Sequence, residues 1–166
     1  MVAQSVNMMV TLPEVDDTVE FGRRIGSRLG AGDLVLLSGP LGVGKTALVR
    51  GVAEGLGVHG RVSSPTFVIA RLHPAGSRGV PLVHVDAYRL GGHLAELDDL
   101  DLDTDLVDAA VVVEWGGVAD RLSEDYLVIR MERHDDDTRT VRLEPHGKWT
   151  TRDLVHAYST WGRHQV

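Results

Sequence analysis

Gly39-Pro40-Leu41-Gly42-Val43-Gly44-Lys45-Thr46 decides how this chain is read. The stretch fits G-x-x-x-x-G-K-[ST], the pattern of a phosphate-binding P-loop. Glycines let the backbone curl until successive N–H groups point at one phosphate, and a helix N-terminus behind them adds its positive end. In that arrangement Lys45 reaches the β- and γ-phosphates and the Thr46 hydroxyl ligates Mg2+, while Leu41, Gly42, Val43 and Gly44 line the nucleotide. Composition makes chance a weak rival, because the chain holds 19 Gly but only two Lys, Lys45 and Lys148. The flanks agree. Residues 33–38 (DLVLLS) read as a buried strand feeding the loop, and residues 47–56 carry apolar side chains at helical spacing until Gly57 stops them. The stretch therefore predicts a nucleoside triphosphate site.

Length and composition set the bounds. At 166 residues the chain has the size of one domain with its own core, here residues 1–166, with 1–8 and 160–166 expected to be disordered. Hydrophobic content of 43% and charged content of 25% are ordinary for a soluble globular protein. No apolar run reaches membrane-spanning length, and the first residues lack the basic start and apolar core of a signal peptide. The absence of cysteine excludes disulfide frameworks, Fe–S clusters and thiolate zinc sites. A cytoplasmic protein without membrane contact is the expectation. A net charge of −7 argues against a broad nucleic-acid-binding face. The densest basic group, Arg23, Arg24 and Arg28, reads as a solvated helix face, with a partner or RNA contact as the alternative.

Outward from the loop, residues 9–12 form a short edge-strand candidate ending at Pro13. Asp17 followed by Glu20 resembles a capping box opening a helix with Val19, Ile25 and Leu29 as its apolar stripe. Residues 66–72 and 80–86 read as two strands of a hairpin around the turn at 73–79, and residues 109–114 as a buried strand. Residues 126–132 and 138–144 flank the polar turn His134-Asp135-Asp136-Asp137 as a second hairpin, and residues 150–158 read as a terminal helix. Strands alternating with helices around a P-loop predict an α/β fold: a single-domain P-loop NTPase whose mixed sheet has a parallel core, antiparallel hairpins and flanking helices.

Two strands end in carboxylates. Leu82-Val83-His84-Val85-Asp86 has the form of a Walker B strand, and Val111-Val112-Val113-Glu114 repeats it. At the sheet edge that carries the P-loop, one acid can bind Mg2+ while the other positions or deprotonates the attacking group. Ser64-Pro65-Thr66 reads either as a Ser-Pro turn entering a strand or as a switch threonine that senses the γ-phosphate. Trp115 reads as a core or sheet-edge aromatic, with nucleotide or partner stacking as the alternative. The acidic run from Asp98 to Asp105 lacks the glycine and terminal glutamate of an EF-hand and reads as a solvated helix or loop. The histidines show no paired metal-ligand spacing.

Taken in order, Leu41-Gly42-Val43-Gly44-Lys45-Thr46, Ser64-Pro65-Thr66-Phe67, His84-Val85-Asp86-Ala87-Tyr88-Arg89-Leu90 and Val113-Glu114-Trp115 resemble the bacterial TsaE (YjeE) ATPases from about Leu12 to Leu143. The resemblance implies ATP and Mg2+ as cofactors. It makes Lys45 and Thr46 phosphate and Mg2+ residues, Thr66 a switch residue, Asp86 the Walker B-like acid, Glu114 a metal-site carboxylate, and Trp115 its neighbour near the nucleotide. Arg139 falls where the family contacts nucleotide, and Gly116-Gly117 departs from the family pattern after Trp115. It further implies an ATPase that is weak alone. Such proteins sustain turnover of a TsaD–TsaB heterodimer that forms N6-threonylcarbamoyladenosine at position 37 of tRNAs reading codons that begin with A. tRNA is then met indirectly, through the partners.

Two rivals stand beside this reading. A small P-loop kinase of a nucleoside or metabolite would carry an arginine-rich lid, whereas Arg130, Arg133, Arg139 and Arg142 lie on or beside the second predicted hairpin. A GTPase switch would need Asn-Lys-x-Asp, and with lysine only at 45 and 148 no such motif exists.

Overall fold

Leu34–Ser38 buries four of its five side chains, which a strand achieves only when both faces of its sheet are covered. It lies at the middle of the sheet in the computed structural model, which describes residues 8–40, 42–58, 70–86, 107–114, 124–154 and 164–165. In chain order the elements are β1 (Met8–Leu12), α1 (Val15–Gly26), β2 (Leu34–Ser38), α2 (Lys45–Leu56), β3 (Ala70–His73), β4 (Leu82–Asp86), β5 (Ala110–Glu114), β6 (Tyr126–Arg133), β7 (Arg139–His146), a 3-10 turn (Gly147–Thr151) and β8 (His164–Gln165). The described strands form one sheet in the order β3-β4-β5-β2-β6-β7-β1-β8. β4, β5, β2 and β6 are mutually parallel. β3 adds antiparallel to β4, and β7 and β1 add antiparallel beyond β6. This is the mixed α/β sheet with a parallel core that the sequence predicts.

Three boundaries differ from expectation for identifiable reasons. β1 is not an edge strand, because Met8 and Met9 pair with Gln165 and His164 of β8, inside the stretch expected to be disordered. α1 begins at Val15 rather than after Asp17: the Glu14 N–H donates to Asp17 Oδ2 at 2.9 Å, so Asp17 is the reciprocal acid of the box and not its cap. The expected helix at 150–158 opens as the 3-10 turn, and residues 152–154 are not helical. There the Thr150 and Thr151 hydroxyls donate back to the carbonyls of Gly147 and Lys148, local bonds that compete with helix propagation. Residues 155–158 of that stretch, residues 66–69 of the first hairpin and the acidic run lie outside the described residues.

Both helices cover one sheet face. Phe21, Ile25, Leu48, Val49, Val52 and Leu56 pack with Val35, Leu37, Val112, Leu127 and Ile129 in the main core. Leu34, Leu36, Val83, Val85, Val111 and Val113 form a second cluster on the other face. The helices themselves meet backbone to backbone. A Cβ on Gly22 or Gly26 would collide with the carbonyl oxygen of Leu48 or Val52, and one on Gly51 or Gly55 with that of Val19 or Arg23. Each glycine thus rests on the carbonyl three residues before a partner glycine. Since both pairings ascend together, α1 and α2 run in the same sense.

Helices side by side in one sense bring their negative ends together, which is unfavourable unless a cation answers them. Arg78, in the turn between β3 and β4, does so. Its Nη1 donates to Gly26 and Gly55 carbonyls at 2.9 and 3.3 Å, and its Nη2 to the Leu29 carbonyl at 3.0 Å. Both helix C-termini are satisfied by one guanidinium.

This packing reverses the usual sign of a helix substitution. Alanine is favoured over glycine in a helix interior by about 1 kcal/mol, yet Gly51→Ala is expected to destabilise the protein by about 1–3 kcal/mol through overpacking. Gly30→Ala, where a Cβ would meet nothing within 4 Å, is the control and should be neutral or slightly stabilising. Urea midpoints of the two variants check the pair, and an equally stable Gly51→Ala would contradict the close helix contact.

Candidate functional site

The loop between β2 and α2 takes backbone conformations that side-chain-bearing residues avoid. Gly42 and Gly44 have φ of 78° and 110°, and Gly44 is the N-cap of α2. A Cβ on Gly39 would stand 2.9 Å from the Met131 carbonyl oxygen, so the loop is seated directly on the end of β6. α2 then starts at Lys45, with no acidic side chain in its first turn. Its first N–H groups and its positive end are presented at the loop, as anion binding requires.

Lys45 is 7% exposed, and its Nζ donates to the Gly39 carbonyl at 2.7 Å, tying the two ends of the loop together. Burial pushes its ammonium below the ordinary lysine value, while the charges of Glu114 and Asp86 pull it back up. The lysine thus lies within electrostatic reach of both carboxylates. Their placement follows from strand register: β4 and β5 are parallel, and Asp86 is the Cα partner of Glu114. Both are buried, at 8% and 5% exposure, at the C-terminal ends of their strands. The two acids, the lysine and the loop therefore share one sheet edge, as the sequence predicts.

A further residue enters from each side. Arg139, at the start of β7, is buried, and its Nε donates to the Val43 carbonyl at 3.2 Å while Nη1 donates to the Asp137 carbonyl at 2.7 Å. The structure thus brings Arg139 to the P-loop backbone. Thr18 of α1 is buried, its Oγ1 without a hydrogen-bond partner among the described residues, and its methyl lies 3.9 Å from where a Gly44 Cβ would be. Behind Glu114, the fully buried His84 ring places Nε2 3.1 Å from Oε2. Neither Thr18 nor His84 was assigned a role from sequence. His84 carried a signal nonetheless, as a polar residue among the inward-facing positions of an otherwise apolar strand. Thr46 is half-buried at the second position of α2, and Gly42 is exposed. Leu41, Thr66 and Trp115 lie outside the described residues.

The donor set suits a hard cation. A threonine hydroxyl and two carboxylates are oxygen ligands of the kind Mg2+ selects, and Mg2+ completes its shell with water and phosphate oxygens.

Comparison with known proteins places the chain in a family. Residues 12–141 match the family described as threonylcarbamoyl adenosine biosynthesis protein TsaE. A Streptomyces coelicolor protein named tRNA threonylcarbamoyladenosine biosynthesis protein TsaE is 56% identical over 141 residues, covering 81% of this chain and 95% of that one. A Mycobacterium tuberculosis protein of the same name is 56% identical over 137 residues, 78% and 82% of the two chains. The crystal structure of Bacillus subtilis YdiB superposes with a TM-score of 0.69 at 27% identity, over 85% of this chain and 86% of that one. The chain belongs to the TsaE family.

Two outcomes follow from the site. Lys45→Ala should lower ATP affinity about tenfold or more, the scale of a lost charge-assisted hydrogen bond, without lowering the unfolding midpoint. A nucleotide titration and a thermal melt measure the two effects, and unchanged affinity would remove the lysine from the phosphate site. His73, buried beside His84, provides a pH test. Burial, then the charges of His84 and Arg71, hold its imidazole below the ordinary 6.5. The unfolded chain then binds the extra proton first, so stability is full above about pH 6.5 and falls as pH drops below it. His73→Gln should shrink the stability lost between pH 7.5 and 5, and an unchanged loss would refute the assignment.

Proposed function

We propose that this member of the TsaE family is a cytoplasmic, Mg2+-dependent ATPase serving formation of N6-threonylcarbamoyladenosine at position 37 of tRNAs that read codons beginning with A. It does so by sustaining turnover of a TsaD–TsaB complex. The observation that carries the reading is the meeting of Lys45, Asp86 and Glu114 at the end of a P-loop whose helix presents an unopposed positive end. The family match and the names of relatives at 56% identity supply the biological context. Among the described residues no helix is long and apolar enough to cross a membrane.

In this reading the α2 N-terminus and Lys45 hold the phosphates. Thr46, with one of Asp86 and Glu114, would hold Mg2+, which when bound neutralises charge building on the phosphate oxygens. The carboxylate not engaged by the cation orients the attacking water and accepts its proton. A new oxygen–phosphorus bond forms at the γ-phosphorus as the bond to the bridging oxygen breaks, leaving ADP and phosphate. Arg139, held on the Val43 carbonyl, places a fixed cation beside the loop where negative charge accumulates. Thr66 and Trp115 take the switch and nucleotide-neighbour roles that family resemblance implies. With a net charge of −7, the chain leaves tRNA contact to its partners. Hydrolysis is slow alone and stimulated by them.

Asp86→Asn and Glu114→Ala should each cut turnover by about a hundredfold or more while changing nucleotide affinity far less, because they act in the transition state. Steady-state hydrolysis and a binding isotherm for each variant separate the effects, and full activity in both would end the two-carboxylate mechanism. For the biological role, the assay is multiple-turnover tRNA modification with purified TsaD and TsaB, with and without ATP. Added protein should raise repeated modification only when ATP is present. If it does not, and a phosphorylated metabolite accumulates instead, a small-molecule kinase is the correct reading.

A further inference from the structure

His84 is the least expected residue of the core. Its neighbours along β4, Val83 and Val85, face the opposite apolar cluster, while the ring itself lies 0% exposed on the helix face. An imidazole in such a place needs a reason. Among the described residues its hydrogen-bond partner is Glu114, through Nε2 and Oε2 at 3.1 Å, and Nδ1 has none. A carboxylate accepts and does not donate, so the ring hydrogen belongs on Nε2. Nδ1 is then a bare acceptor, and an unmatched buried acceptor is less costly than an unmatched N–H. Strand register explains the reach: in the parallel pair His84 sits opposite Val112, one same-face step before Glu114.

Glu114 is thereby gripped on one oxygen from the core side, while the lysine charge lies on the loop side. A glutamate has three rotatable bonds, and a ligand that moves is a poor one. We infer that His84 is a positioning residue: its Nε2–H holds Oε2 of Glu114 so that Oε1 is turned to the P-loop as the oxygen available to the cation. This inference rests on the reading that Glu114 serves Mg2+.

The test pairs His84→Leu, which removes the donor, with His84→Gln, whose amide N–H can take the place of Nε2–H. Three quantities are measured: affinity for a non-hydrolysable ATP analogue with and without Mg2+, ATP turnover in the presence of the partner pair, and the wild-type ring tautomer by long-range 15N–1H NMR. His84→Leu should lose about 10–100-fold in turnover and a smaller part of the affinity that Mg2+ adds, with metal-free nucleotide affinity unchanged. His84→Gln should recover most of both. The wild-type ring should carry hydrogen on Nε2. A folded His84→Leu with normal Mg2+ dependence overturns the inference, as does a loss that glutamine fails to rescue, which would mark a packing role. Should His84→Leu not fold, a wild-type ring bare at Nε2 overturns it alone. Absence of hydrolysis in the wild type would defeat the ATPase reading, yet the tautomer and the Mg2+-dependent affinity would still decide the role of His84.

Discussion

The position of the P-loop depends on the backbone contact between α1 and α2. Where side chains separate two helices, a crossing tolerates some sliding, because rotamers adjust. Here four glycines set peptide against peptide, and nothing between the helices can give. α2 is consequently fixed along its length, and its first turn, which opens at Gly44 and Lys45, is fixed with it. The same contact forces the helices into one sense, and that choice creates the need for Arg78 at their far ends. A residue in a turn some thirty positions downstream of the loop thus belongs to the loop's support.

Strand pairing does for the carboxylates what helix packing does for the lysine. Asp86 and Glu114 terminate adjacent parallel strands in register, so slippage of either strand by one residue would turn its acid to the other face, away from its partner. Val111 and Val113 on one face, with Val112 on the other, hold that register by burial. The cost is a concentration of charge in a desolvated place, with Lys45, Asp86, Glu114 and Arg139 all under 9% exposed. Such groups stabilise a fold poorly by themselves and are retained where a site uses them.

Much of this was legible in the residues. The P-loop flanks, the carboxylate-ended strands and the hairpin around His134 to Asp137 are local patterns, and they stand within a residue or two of expectation. What was not legible depends on contacts distant in sequence. Nothing near Met8 announces that β8 will pair outside it. Nothing near Arg78 announces two helix ends. Thr18 reads as an ordinary helix residue until α1 is placed against Gly44. The expected terminal helix opens instead as a 3-10 turn for a local reason that propensity counts miss, namely threonine hydroxyls bonding back to carbonyls. His84 lies between these cases, since its polarity was visible but its partner, on another strand, was not.

Parallel helices place two N-termini at the phosphate end, and an anion approaching the protein meets two positive poles there. They are not equivalent. α1 opens with Glu14, Asp16 and Asp17, and Asp17 already accepts a hydrogen bond from the Glu14 N–H, so that pole is cancelled by the chain's own carboxylates. α2 opens without an acidic side chain and with a glycine cap that supplies no oxygen. Of two neighbouring poles the protein occupies one and leaves the other bare. The acidic turn of α1 therefore makes its N-terminus the less favourable of the two for an anion.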